Sequence, residues 1–431
     1  MPERRDVHIR VPVLTRVEGE GALELDLADG QIERVNLRIF EPPRLFEKFV
    51  EGYERNQVID MVARICGICP VAYQMSAVQA FERLAGFTPD RWVTEMRRVM
   101  YCGEWLQSHA LHIHLLAAPD FLGFGSAIEM AADYPDEVRR GLALQTLGND
   151  LIALFGGRSV HPVGLRVGGF YRAPDLAAVD AILSRLRLAL PEAKALVSWV
   201  ASLDFPDDEQ SFTSVALSDP DIYAIAEGRL ISGQGLDIDI CYFESHFKEF
   251  QSPHSTALHA ELDGRPYLTG PLARLNLNFH QLPAAVRSVM DSCGIVFPSY
   301  NMFHSLVARA IELYLVLYEA IRILEDYRVP KQSYQEVASV EGNAFGCTEA
   351  PRGILWHRYD VDSKGIIRYA RIVPPTSQNQ GRIEEDIVQS LSKMGLDNDD
   401  DALRLRAEQV IRNYDPCISC ATHFLKLKVN R

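Results

Sequence analysis

The chain has 431 residues, 47% of them apolar and 24% charged, close to the average for a globular protein and unlike a disordered or fibrous one. Its net charge of -14 and its lack of clustered Lys and Arg argue against a nucleic-acid face. Eight cysteines are too sparse for a secreted disulfide framework, no run of about 18 apolar residues occurs, and MPERRDVHIRVPV lacks a signal-peptide core, so a cytoplasmic protein is expected.

From Ala22 to Ile39 apolar and polar residues alternate on both sides of Asp29-Gly30, which predicts a hairpin. Helical spacing follows over 90–117, 136–155 and 176–203. A second hairpin is expected over 258–270 around Asp263-Gly264, then helices over 281–293 and 300–327. A third hairpin, 354–373, turns near Lys364-Gly365, and helices over 382–395 and 400–413 complete the pattern. The reading is α+β and predominantly helical, a central bundle of long helices with small peripheral antiparallel sheets. No repeat or low-complexity tract divides the chain, and the Pro/Asp segment 204–220 is too weak a boundary to cut there.

Two short stretches carry chemistry. RICGICP, 64–70, holds Cys66 and Cys69; DPCISCATH, 415–423, holds Cys417 and Cys420, followed at the same interval by His423. A single CxxC is equally a redox dithiol or an inert buried pair, but two with identical spacing favour a metal. Four thiolates form a soft set that suits zinc, iron-sulfur, or nickel and iron. Zinc ribbons place their pairs a few tens of residues apart; roughly 350 residues intervene here, so this metal does not substitute for a missing core. Cys102, Cys241, Cys293 and Cys347 are isolated and read as small hydrophobes. His109, His112 and His114 crowd one helix and are read as polar packing or partner contact, outside the metal set.

With these pairs stand TRVEGEG at 15–21, LFEKFVEG at 45–52, QSHALHIH at 107–114, HPVGLRVGG at 161–169, GPLAR at 270–274 and EAPRG at 349–353. Together they resemble the large, catalytic subunit of nickel-iron hydrogenases, most of all the cytoplasmic bidirectional, NAD(P)-linked and sulfhydrogenase-like branch. The resemblance implies that family's large-subunit fold and reversible heterolytic cleavage of H2. It implies Cys66 and Cys417 as terminal nickel ligands, Cys69 and Cys420 as bridges to an iron carrying CO and CN ligands, Glu18 as first proton acceptor, and Arg352 above the open side of the metals. Thr376, in VPPTSQN, would donate to a cyanide, although Pro375 replaces the usual residue of that motif. Glu47 and His423, with a carbonyl at Arg371 or Ile372, would hold magnesium or iron. Tyr73 stands where many relatives have histidine.

The resemblance also implies one cooperative unit: an N-terminal hairpin region over 1–60, a helical core with the metal site over 61–423, and a peptide, 424–431, removed by a maturation endopeptidase after nickel chaperones deliver the metal. No further iron-sulfur motif and no GxGxxG fingerprint occurs. Electrons must therefore leave through another chain, and the resemblance implies an iron-sulfur small subunit, then further iron-sulfur and flavin/NAD(P)-binding subunits. Two competing expectations are a structural zinc scaffold with a four-cysteine site and a metal-free, hydrogenase-like respiratory subunit.

Overall fold

The computed structural model describes residues 6–422. The chain begins with an antiparallel sheet in the order β1 (Val7–Val11), β2 (Gly21–Ala28), β3 (Gln31–Ile39). Val7, Ile9 and Val11 on β1 and Leu23, Leu25 and Leu27 on β2 are buried, the two-residue period of a pleat with one covered face. Asp29 and Gly30 take φ of 53° and 73°, as the predicted hairpin turn requires.

Next come α1 (Phe46–Phe49), α2 (Arg55–Val62), α3 (Pro70–Leu84) and α4 (Arg91–Leu111), which runs on as a π-helical stretch, His112–Ala117. The sequence pattern missed α3 because almost every residue from Pro70 to Glu82 is buried, so no polar stripe marks its period. α4 packs on α5 (Pro135–Gly156), which is followed by α6 (Leu176–Ala201). The crossing of α4 and α5 depends on glycine: a Cβ on Gly148 would lie 2.5 Å from the Gln107 nitrogen, and one on Gly103 would lie 2.9 Å from the Gly148 oxygen.

β4 (Phe247–Gln251) and β5 (Leu258–Leu262) form a two-stranded sheet, followed by α7 (Pro271–Asn278) and the long α8 (Ser305–Glu325). α8 is buried on nearly all sides and packs on α4 and α6, making it the axis of the helical core. The hairpin expected over 258–270 does not form. β5 pairs backward with β4, Asp263-Gly264 closes only an isolated Leu262–Arg265 bridge, and the chain beyond it pairs with Thr213–Val215. Pro266, which has no N–H to donate, ends any further ladder there.

A last sheet, in the order β6 (Gly342–Ala350), β7 (Gly353–Val361), β8 (Ile367–Val373), lies against α3. It leads into α9 (Pro375–Met394), α10 (Asp400–Asn413) and α11 (Ile418–Ala421). α9 starts at Pro375, before the predicted 382, because proline is favourable in a first turn and the polar Thr376–Gln380 is buried. Mixed architecture, dominant helix and small antiparallel sheets agree with the sequence expectation.

Candidate metal centre

The cysteine pairs occupy tight turns contributed by distant parts of the chain. Cys66 follows a 3-10 turn, Ala63–Ile65, and Cys69 is the N-cap of α3, where Pro70 fills a position needing no N–H. The turn aims the N–H groups of Ile68 and Cys69 at Cys66 Sγ, at 3.3 and 3.4 Å. Cys417 is the N-cap of α11 and Cys420 lies within it. Asp415, at φ 56°, and Pro416 separate this turn from α10.

All four sulfurs are buried and lie within 4.8 Å of one another. Cys66 meets Cys417 at 3.3 Å, Cys69 meets Cys420 at 3.5 Å, and Cys417 and Cys420 stand 2.7 Å apart. First cysteine thus faces first, and second faces second. Metal–sulfur bonds of about 2.3 Å keep ligands of one ion within about 4.6 Å of each other, so the cluster has the size of a thiolate cage. Hydrogen bonds from Cys417, Cys420 and Cys69 pull the Cys66 thiol well below its ordinary pKa, whereas burial pushes Cys417 up. Four thiolates at such distances repel strongly unless cations lie among them, and a soft sulfur set suits nickel and iron.

Glu18 ties the N-terminal region to this turn. Its carbonyl accepts the Ile418 N–H at 2.9 Å, and its Oε2 accepts the Ser419 N–H and the Cys417 thiol, each at 3.1 Å. Burial raises the Glu18 carboxyl above its ordinary value, the charge of Cys66 adds to the rise, and the bonds from Ser419 and Cys417 oppose it. Glycine is required next in sequence: Gly19 has φ 91°, and a Cβ there would lie 2.6 Å from Ile418 Cβ. Ser419 Oγ in turn donates to Glu41 at 3.2 Å.

Thr376, in the first turn of α9, accepts the Cys417 N–H through Oγ1 at 3.0 Å, which leaves its hydroxyl proton to donate elsewhere. Arg352 sits in the tight turn between β6 and β7. Its Nε donates to the Asp415 carbonyl at 2.6 Å and its Nη2 to Asp415 Oδ1 at 3.0 Å. Burial opposes its charge, but Asp415 and the sulfurs of Cys417, Cys69 and Cys66 raise its pKa. Arg352 Nη1 is buried with no hydrogen-bond partner, an orphan donor at the edge of the sulfur cluster.

Glu47, on α1, accepts the Ile372 N–H at 2.8 Å, so that carboxylate does reach the strand expected to supply a carbonyl ligand. His423 lies outside the described residues. Tyr73 is fully buried, and burial together with the nearby Cys420 raises its pKa. The three crowded histidines have ordinary partners: His109 Nε2 meets Glu312 at 2.9 Å, His112 Nε2 donates to the Arg412 carbonyl at 2.8 Å, and His114 Nδ1 donates to the Ala110 carbonyl at 2.9 Å.

Three further residues shape the site. Arg44 Nη2 donates to the carbonyls of Ile65 and Ser419 and so clamps the two cysteine turns together. The buried Glu104 caps α3 by accepting the N–H groups of Val71 and Ala72. Asp415 holds Arg352. The DPC motif contains Asp415, but nothing near Arg44 or Glu104 in the sequence signals these contacts.

The model for nickel-dependent hydrogenases matches residues 44–140 and 255–423. Sulfhydrogenase 1 subunit alpha of Pyrococcus furiosus is 31% identical over 423 residues, covering 97% of this chain and 98% of the relative. The beta subunit of an NAD-reducing hydrogenase of Cupriavidus necator is 27% identical over 471 residues, covering 96% and 94%. Among solved structures, an NAD+-reducing [NiFe]-hydrogenase in the H2-reduced state superposes with a TM-score of 0.89 at 26% identity, covering 97% of this chain and 99% of that one. A converging four-thiolate cage on this fold defines a nickel-dependent hydrogenase, and the chain belongs to that family. Within it, the chain is the catalytic large subunit of a nickel-iron hydrogenase, an oxidoreductase acting on H2. This excludes the zinc scaffold, and the four cysteines set the chain apart from a metal-free respiratory subunit.

Proposed function

We propose that the chain splits H2 reversibly and heterolytically and passes the electrons through an iron-sulfur small subunit to a flavin subunit that reduces NAD(P). The cage of Cys66, Cys69, Cys417 and Cys420 would hold nickel and iron, with Cys66 and Cys417 terminal on nickel and Cys69 and Cys420 bridging. Bound there, the two metals would supply the Lewis-acidic site at which H2 is polarised and cleaved. The protein's part is to receive the proton and to hold the iron's CO and CN ligands in place.

The observation that carries the reading is the 3.1 Å contact between Cys417 Sγ and Glu18 Oε2. A proton on that sulfur moves to the carboxylate, breaking the S–H bond and forming an O–H bond, and the raised pKa of Glu18 suits it to accept. Arg352 Nη1 and the Thr376 hydroxyl are the donors available to cyanide nitrogens. Glu47, with His423 and a carbonyl at Arg371 or Ile372, is a hard oxygen-and-imidazole set for magnesium or iron.

The NAD-reducing names of the relatives support the acceptor. Among the described residues no single helix is long and apolar enough to cross a membrane, in keeping with a cytoplasmic assembly. Removal of 424–431 by a maturation endopeptidase, after nickel chaperones have loaded the site, would let the segment ending at His423 close.

Glu18→Gln is the test. Nickel content and ortho/para conversion of H2 should persist, while H2 uptake and H/D exchange with solvent disappear. Exchange at the wild-type rate in that variant would remove Glu18 from the proton route.

A further inference from the structure

We infer that His254, His259 and Glu384 form an additional metal site, for a divalent transition-metal ion of the zinc or iron(II) kind, sharing no residue with the cysteine cage or with Glu47. His254 lies in the loop joining β4 to β5, His259 lies on β5, and Glu384 lies on α9, which packs against β5.

One ligand atom from each residue lies within 4.8 Å of the other two. His254 Nε2 stands 2.8 Å from Glu384 Oε1, and His259 Nε2 stands 3.5 Å from Glu384 Oε2. Nitrogen and oxygen ligands at about 2.1 Å from one ion stand roughly 3.0–3.4 Å apart in octahedral or tetrahedral geometry, so only small adjustments would seat a metal. Two imidazoles with one carboxylate select zinc, iron or their neighbours over magnesium and calcium, which prefer oxygen.

Two features separate this cluster from an ordinary ion pair. The first is His259, only 3% exposed, whose two ring nitrogens make no hydrogen bond although buried imidazoles normally do. His254 already serves Glu384 Oε1, while His259 Nε2 reaches Oε2 only at 3.5 Å, too long for a hydrogen bond, and its Nδ1 has no partner, so pairing with Glu384 satisfies His254 but not His259. The second is the outer support that metal ligands require. Ser252 Oγ lies 2.8 Å from His254 Nδ1, and the Leu37 N–H donates to Glu384 Oε1 at 2.9 Å.

Phe250, itself exposed, packs on the His259 ring at 5.6 Å. The side chains of His254 and Glu384, 20% and 18% exposed, leave the outer side open to solvent ligands. Because Leu37 belongs to β3, a metal here would join the N-terminal sheet, the β4–β5 pair and α9. Its role is then structural, a clasp between segments distant in sequence.

The test uses nickel-loaded enzyme, in which the cysteine cage is already filled. Zinc or cobalt(II) is added, excess is removed by gel filtration, and metal is counted by mass spectrometry. The wild type should retain one equivalent beyond His254→Gln and Glu384→Gln, bind it at least tenfold more tightly than either, and give a cobalt ligand-field band that both lack. Zinc should raise the unfolding midpoint of the wild type only, with H2 oxidation unchanged in His254→Gln. Equal metal content in wild type and variants, or none in any, would leave an ion pair and overturn the site. His254 is partly exposed, so its variant stays informative even if changes at His259 impair folding.

Discussion

Two buried polar clusters lie close to each other in this molecule, and only that of Arg274 is closed in the sense that its guanidinium and carboxylates are all bonded, His109 Nδ1 being the atom it leaves without a partner. Around Arg274 every guanidinium N–H is used: Nε and Nη2 meet Glu312 at 2.7 and 2.8 Å, Nη1 meets Glu349 at 3.0 Å, and the carbonyls of Ala350 and Pro351 take the rest. Tyr223 and His109 complete Glu312. Around the cysteines the same kinds of group are left open, with Arg352 Nη1 and Asp415 Oδ2 buried and unbonded. A closed cluster fixes the fold, whereas an open one keeps its donors for something that binds.

The largest effect that would break this contrast is in the closed cluster. Glu312→Gln leaves the Arg274 charge facing only Glu349, which burial pushes up to about 7. Removing one partner of a buried pair costs about 3–5 kcal/mol, so denaturant unfolding should shift by that much while the folded fraction still takes up nickel. Arg352→Lys should do the reverse. It keeps the charge beside Asp415 but loses the planar fork, so turnover should fall about 100-fold with unfolding shifted by under about 1 kcal/mol. If Arg352→Lys proved as destabilising as Glu312→Gln with turnover intact, Arg352 would belong with the closed cluster.

Sequence reading reached the open cluster far better than the closed one, for a physical reason. Metal chemistry concentrates its ligands in short motifs, so Cys66, Cys69, Cys417 and Cys420 were legible from spacing, and Glu18, Arg352 and Thr376 from the motifs around them. The closed cluster joins residues on α4, α7, α8 and β6 that share no local pattern; Arg274 and Glu349 fell within quoted motifs without revealing their partners. Arg44 escaped for the same reason, since its two carbonyl partners lie 21 and 375 residues away. α3 was invisible because burial on every side erased its period, and the hairpin at Asp263-Gly264 failed because β5 had a better partner upstream.

The smallest predicted effect sharpens the contrast through protons. In the closed cluster burial depresses His109 to about 4, and although Glu312 favours the imidazolium, Arg274 already neutralises that carboxylate. An imidazole held neutral when folded binds its proton more readily when unfolded, so stability is complete above about pH 6.5 and falls as the pH drops toward 4. Near pH 5 this one group should cost about 2 kcal/mol relative to neutral pH. His109→Gln should flatten that acid slope by the same amount, whatever it does to stability at pH 7, when unfolding midpoints at the two pH values are compared. A slope unchanged by the substitution would mean that His109 is charged in the folded protein. The closed cluster would then hold a mobile proton, as proposed for Glu18 at the cysteines, and the distinction between a sealed network and a proton-accepting one would fail.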